Sequence, residues 1–317
     1  MAELIRVERE IGGRKLILET GKIAKLCHGA VMATYGESTV LATVVRAAPR
    51  EGIDFFPLTV DYREKTAAAG KFPGGFRKRE GAPNEKEVLT MRMIDRPMRP
   101  LFPDGFLDEV QIQVWVMSHD GENDTDVLAG TAASAALAIS DVPFEGPTAT
   151  VRVGRIHTDA GPQYVINPTV SQLDYSDMDT VVAGHADGVN MIEVGAAEVD
   201  EAGVLGAIEF GHRHVLEVVG LINDLAKKCG KPKVMGDNLF LPPQELMERV
   251  EKLCGKQLLA ARQIPSKKER NDKVDEIKAQ VLDEHFALKA DGVYADYAKS
   301  VKNRTFAKEA LRRLEEK

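Results

Sequence analysis

Between Tyr62 and Pro103 the chain reads YREKTAAAGKFPGGFRKREGAPNEKEVLTMRMIDRPMRPLFP, and its first half gathers groups that attract a polyanion. Cations stand at Arg63, Lys65, Lys71, Arg77, Lys78 and Arg79 against carboxylates at Glu64 and Glu80. Gly70, Gly74 and Gly75 permit positive φ or a close backbone approach to a ligand. Phe72 and Phe76 have no strand or helix pattern around them that would bury them. Guanidinium and ammonium groups beside aromatic rings on a surface loop suit single-stranded nucleic acid, whose bases stack while its phosphates pair. A solvated basic loop with its phenylalanines tucked beneath it is the competing reading. In the second half, Val88, Leu89, Met91 and Met93 are near helical spacing from Glu85 to Arg96, and Pro97 and Pro100 are expected to end that helix. Asp95 beside Arg96 and Arg99 predicts an ion pair at the helix exit rather than catalysis.

Other reactive side chains form no constellation. The seven histidines (His28, His119, His157, His185, His212, His214 and His285) are scattered, and no pair of them sits beside a cysteine or carboxylate at ligand spacing. Cys27, Cys229 and Cys254 are odd in number and far apart, which predicts reduced thiols and a cytoplasmic protein. Met1-Ala2-Glu3 opens no signal peptide, and no apolar run approaches the roughly 20 residues that cross a bilayer. The net charge of −7 excludes a protein that coats nucleic acid with its whole surface, so binding has to come from a local positive patch.

The elements that position the basic stretch read as α+β. Alternation over residues 4–20 predicts two strands turning at Gly12-Gly13. Ala30 to Val45 holds two more around Gly36, Phe55 to Asp61 delivers the chain into the basic loop, and Val110 to Ser118 carries the single tryptophan, Trp115. Small residues from Asp124 to Ser140 predict a helix packed closely on a sheet. Strands are then expected over Thr148–Ile156, Gln163–Asn167, Met178–Gly184 and Asn190–Ala196, with a helix over His212–Lys228. Strands and a helix, twice, suggest a duplicated unit with two sheets each carrying a helical layer. Prolines and glycines from Lys231 to Pro243 then break the pattern, and only helical candidates follow, at 244–263, 267–286 and 297–317. The predicted division is therefore a core over 1–236 and a small all-helical domain over 237–317.

The run DFFPLTVDYREKTAAAGKFPGGFRKREGAPNEKEVLTMRMIDRPMRPLFPDGF, with INPT at 166–169, VVAG at 181–184 and GAIEFGH at 206–212, resembles the bacterial polynucleotide phosphorylases. The match runs along the whole chain and covers the first ribonuclease PH-like core and the helical domain of that family. The resemblance implies phosphorolysis of RNA from its 3′ end, with inorganic phosphate as co-substrate and nucleoside diphosphates released. It also implies a protein that continues past Lys317 into a second core and KH- and OB-type modules, none of which this chain contains. The family places Mg2+ and catalysis in that second core, so neither catalytic nor metal-binding residues nor a cofactor are expected here. A homotrimeric ring when intact and proteins of an RNA-degradation complex are the implied partners. A non-catalytic RNA-binding subunit of an exosome-like ring is the alternative, and a structural domain whose loop meets a protein is a third.

Register with the catalytic core puts Asn123-Asp124-Thr125-Asp126 where that core has a serine-rich phosphate turn. Two carboxylates there are expected to repel phosphate, since like charges about 4 Å apart cost roughly 1 kcal/mol even in water. The metal segment corresponds to Leu173 through Val181. Asp179 matches an aspartate, but Leu173 and Val181 replace the other aspartate and the lysine. Asp177 and Asp179, two apart on one strand, point the same way and suit a structural role. The resemblance assigns RNA contact to Phe76, Arg77, Lys78 and Arg79, with Arg77 where the family's second aromatic would stand.

Overall fold

A computed structural model describes residues 4–50, 53, 55–235, 239–287 and 294–316, the last segment's side chains from 301 to 315. Backbone proximity divides the chain into two units, Met1–Asp237 and Asn238–Lys317.

The first unit opens with β1 (Ile5–Ile11) and β2 (Arg14–Thr20), followed by β3 (Gly29–Tyr35), β4 (Ser38–Ala47) and β5 (Leu58–Arg63). The chain continues through α1 (Glu85–Met98), β6 (Glu109–Ser118) and α2 (Thr125–Ile139). These strands form one sheet in the order β1-β2-β3-β4-β6-β5. All its neighbours are antiparallel except β5 and β6, which are parallel. A parallel pair cannot be joined by a hairpin; it needs a crossover, and the basic stretch with α1 is that crossover.

A second sheet, in the order β10-β9-β7-β8, is built from β7 (Ala149–Thr158), β8 (Gly161–Ile166), β9 (Ser176–His185) and β10 (Gly188–Ala196). The short α3 (Val170–Leu173) joins β8 to β9, and α4 (Glu201–Cys229) follows β10. The two long helices are shared between the sheets. α2 packs on β3, β4 and β6 and also on β7, while α4 packs on β7 and β9 and also on β1. One continuous core results, with Leu18, Val31, Val44 and Ile112 of the first sheet, Val151 and Val182 of the second, and Leu137, Val215 and Ile222 of the helices among its buried members.

Three boundaries differ from expectation, each for a packing reason. The strand expected over Phe55–Asp61 begins at Leu58, because Phe56 turns into a cluster with Phe102 and Phe106, ring centroids 4.5 and 5.6 Å away. Pro97 lies inside α1 rather than ending it, as a proline in the last turn removes only one intrahelical hydrogen bond. The helix expected from His212 begins at Glu201, with Asp200 as its cap, its side chain accepting from the Gly203 N–H. Gly203, Gly206 and Gly211 lower local helix propensity and hide that start. They are needed for contact: a Cβ at Gly211 would lie 2.9 Å from Val182 and 3.0 Å from Val153.

The second unit holds α5 (Gln244–Arg262), α6 (Lys267–His285) and α7 (Tyr294–Glu316). Val250, Cys254 and Leu258 of α5, Val274, Ile277 and Val281 of α6, and Ala307, Ala310 and Leu311 of α7 form its core. No described helix is long and apolar enough to cross a membrane.

Candidate nucleic-acid interface

The crossover from β5 to α1 is tied down at both ends and free in the middle. On entry, Arg63 pairs with Glu87 and donates to the Gly81 carbonyl at 2.9 Å, while Lys65 sits 3.8 Å from the centre of the Trp115 ring. Thr66 donates its N–H and hydroxyl to the Glu80 carboxylate at 2.9 and 2.8 Å. On exit, Asn84 and Glu87 form a reciprocal cap at the start of α1, and the buried Glu87 also accepts from the Glu64 N–H. Of the six cations read in this stretch, Arg63 and Lys65 are thus committed to holding the loop. Lys71, Arg77, Lys78 and Arg79 are exposed and make no ion pair among the described residues.

Neither phenylalanine is tucked beneath the loop. Phe72 is 90% exposed and Phe76 104%, so both rings stand fully in solvent. Lys78 adopts φ +49°, and its N–H donates to the Gly75 carbonyl at 3.0 Å, a tight turn that presents Phe76, Arg77, Lys78 and Arg79 together. Exposed aromatic rings cost hydration free energy unless something covers them. At the other end of α1 the expected Asp95–Arg99 ion pair is present and bidentate, at 2.7 and 3.0 Å, while Arg96 reaches Glu193.

The turn before α2 faces a different set of groups. Asp120 accepts from the backbone of Glu37, Glu122 and Asn123 and from the Asn123 side chain; burial works against its charge, but these bonds hold its carboxyl far below the usual range. Gly36, at φ +61°, makes room for this staple, since a Cβ there would lie 2.4 Å from the Asn123 amide nitrogen. Beyond the turn, Lys86 pairs with Asp124 at 3.0 Å and Glu64 at 3.2 Å. Arg152 on β7 pairs with Asp126 and, at 2.5 Å, with Asp179. The Val127 N–H at the start of α2 donates to Asp126 itself at 2.6 Å.

Burial works to raise Asp124, but Lys86 and Arg152 outweigh it and hold the carboxyl below its ordinary value. Asp126 is pushed up by burial, with Arg152 pulling against the rise. These groups line a cleft of about 660 Å³ together with Met93, Val181 and Val194. Five carboxylates of its lining (Glu85, Asp124, Asp126, Asp179, Glu193) face two cations (Lys86, Arg152), a balance of −3 that stays negative with Asp126 protonated. The helix N-terminus that would attract a phosphate is occupied by a carboxylate of its own chain.

Magnesium does not fit this cleft either. Asp179 offers one oxygen to Arg152, so a cation at its carboxylate would sit against a guanidinium. Val181 is buried among Met93, Val127, Ala183 and Met191, and Leu173 closes α3. Among the described residues no three or more histidine, cysteine or acidic side chains gather around a space for a metal ion.

Arg152 and Lys86 did not emerge from sequence reasoning. The signal for Arg152 was a lone arginine in the apolar run ATVRVG, which has to find a carboxylate when its strand is buried. Asp177 takes Arg155 at 2.6 Å and His157 at 2.7 Å. An irregularity in the β7–β9 register between Gly154 and Ile156 lets Arg152 and Arg155, three apart, both meet carboxylates of β9.

The Arg155 hydrogen bond, ahead of His157, lowers the Asp177 carboxyl from an ordinary 3.8 to about 2. A depressed carboxylate contributes stability above its unfolded value and loses it as pH falls through the folded one. Asp177→Asn is therefore expected to remove part of the acid dependence of stability between about pH 4 and pH 2, read from denaturant midpoints along a pH series. An unchanged acid limb would show that the pair contributes nothing.

The first unit is thus an α+β core in which two sheets share two long helices. The family model for the 3′ exoribonuclease family matches this chain with its domain 1 over residues 12–143 and its domain 2 over 146–214. Residues 245–314 match the model described as the polyribonucleotide nucleotidyltransferase RNA binding domain. Polyribonucleotide nucleotidyltransferases of Rhodopseudomonas palustris and Bradyrhizobium diazoefficiens are 50% and 51% identical over 288 and 284 residues, covering 90% and 88% of this chain. The chain spans 39% and 38% of the length of those relatives. A crystal structure of rice Rrp46 superposes with a TM-score of 0.51 at 13% identity, covering 71% of this chain and 95% of that one, which shows the fold alone. The chain belongs to the polyribonucleotide nucleotidyltransferase branch of the 3′ exoribonuclease family.

Proposed function

We propose that this chain is the RNA-gripping part of a polynucleotide phosphorylase and has no catalytic centre of its own. In this reading the intact protein is a cytoplasmic homotrimeric ring that shortens RNA from its 3′ end, using phosphate and Mg2+ in a second core and releasing nucleoside diphosphates. Phe76, Arg77, Lys78 and Arg79 hold the single strand, through ring–base stacking and phosphate pairing. The observation that carries the reading is the loop itself: a fully exposed Phe76 beside three cations with no ion partner among the described residues. The carboxylate-filled turn before α2 supports the absence of catalysis here, because phosphoryl transfer needs positive charge around the transferring group. Relatives about half identical carry the nucleotidyltransferase name, which does not favour an exosome-type ring subunit.

The test is a phosphorolysis assay of this chain with single-stranded RNA, phosphate and Mg2+. No nucleoside diphosphate above the protein-free control is expected. Release in proportion to protein concentration would overturn the assignment.

A further inference from the structure

From Arg63 to Glu80 the chain carries six cations and only two carboxylates, Glu64 and Glu80. Both carboxylates are engaged by other groups. Glu64 accepts from the Tyr62 hydroxyl at 2.5 Å and pairs with Lys86 at 3.2 Å. Glu80 presents one oxygen, Oε1, to both the N–H and the hydroxyl of Thr66, at 2.9 and 2.8 Å. Glu80 is exposed, and Arg77, Lys78 and Arg79 immediately precede it, yet it makes no ion pair among the described residues.

Thr66 is a fixed point at the base of the loop. It opens a short 3₁₀ turn, Thr66–Ala69, whose Ala68 carbonyl accepts from the His119 N–H beyond β6 at 3.1 Å. Lys65, just before it, lies 3.8 Å from the centre of the Trp115 ring. The Thr66 N–H, first of its turn, has no partner inside the turn and needs an acceptor from elsewhere. Two bonds to one charged acceptor outweigh a solvent-exposed guanidinium–carboxylate pair, which salt screening and side-chain entropy weaken. Without Thr66, the nearest countercharges of Glu80 in the chain are the three cations before it. We infer that Thr66 is a positioning residue: by holding Glu80 at the base of the loop, it keeps Arg77, Lys78 and Arg79 unpaired and available to phosphate. The inference rests on the RNA-gripping reading of the loop and adds what keeps those charges free.

Thr66→Pro removes both donors at once. Proline is tolerated at a first helical position, and Lys65 already has the extended backbone (φ −71°, ψ 143°) that a following proline requires. Binding of the whole chain to a single-stranded oligoadenylate is measured by fluorescence anisotropy over a salt series. Thr66→Pro is expected to flatten the slope of log K against log salt by about 0.7, the share of one phosphate contact. At about 0.1 M salt that corresponds to about fivefold weaker binding. Thr66→Val, which keeps the N–H bond, should lose less. Glu80→Gln should bind at least as tightly as the parent, and Thr66→Pro with Glu80→Gln should recover the parental slope. A contact that only held the loop's shape would give no such rescue, and Glu80→Gln would itself weaken binding. An unrescued double variant, or a parental slope in Thr66→Pro, would overturn the inference. The loop assignment still stands in that case if alanine at Arg77, Lys78 and Arg79 flattens the slope. A parental slope in that triple variant counts against the loop itself.

Discussion

Replacing Arg152 by methionine is expected to destabilise the sheet–helix unit by about 3–5 kcal/mol, the cost of leaving a buried carboxylate without its counter-ion. Asp126 is 6% exposed and its only ion pair among the described residues is with Arg152, whose own charge is stabilised by Asp126, Asp179 and Asp124 against the cost of burial. Asp179, half exposed, is left to water and contributes little. Urea unfolding followed by Trp115, the chain's single tryptophan, reads this unit separately from the helical one. The sign of the pH dependence is distinctive. Burial already pushes Asp126 up, and without Arg152 the folded chain holds a proton there that the unfolded chain releases. The deficit is therefore largest near neutrality and shrinks as the pH falls toward the ordinary carboxylate range. Arg152→Met combined with Asp126→Leu should recover most of the loss, since an apolar pair of similar volume is about as stable as a buried ion pair. A single variant within about 0.5 kcal/mol of the parent would show that Asp126 is uncharged or solvated in the parent already.

Changing Arg77, Lys78 and Arg79 together to alanine is expected to flatten the salt dependence of RNA binding by about two in the slope of log K against log salt, as single strands release roughly 0.7 counterion per phosphate neutralised. At about 0.1 M salt the same three contacts correspond to about a hundredfold in affinity. Phe76→Ala should behave differently, weakening binding by roughly 1–3 kcal/mol for a lost base stack while leaving the slope as it was. All four side chains are exposed and, among the described residues, bonded to nothing that holds the loop, so neither change is expected to alter stability. An unchanged slope in the triple variant would place the phosphate contacts elsewhere on the chain. A slope change in Phe76→Ala would mean that the ring positions the cations rather than stacking on a base.

Most of the α+β layout was legible in the residues. Alternation marked the β1–β2 hairpin at Gly12-Gly13, the small-residue run marked α2, and the proline- and glycine-rich stretch after Lys231 fell where one unit gives way to the other. These features depend on neighbours along the chain, so a linear reading reaches them. The first eleven residues of α4, 201–211, were not legible, because the glycines that lower helix propensity are used to bring α4 against Val153 and Val182 of the second sheet. Propensity is a local quantity and close packing is not.

The candidate sites divide along the same line. That Phe76, Arg77, Lys78 and Arg79 occur together, and that Asp124 and Asp126 stand in the turn before α2, was determined by the sequence alone. Which cations remain free was decided by the tertiary structure: Arg63 is drawn to Glu87 and Lys65 to Trp115, while Lys71, Arg77, Lys78 and Arg79 make no ion pair among the described residues. The same folding turned Asp124 and Asp126 from two adjacent repelling charges into partners of Lys86 and Arg152, residues 38 and 26 positions away in the chain. A charge is set by residue type, but its effect depends on what lies within a few ångströms, and that distance exists only once the chain has folded.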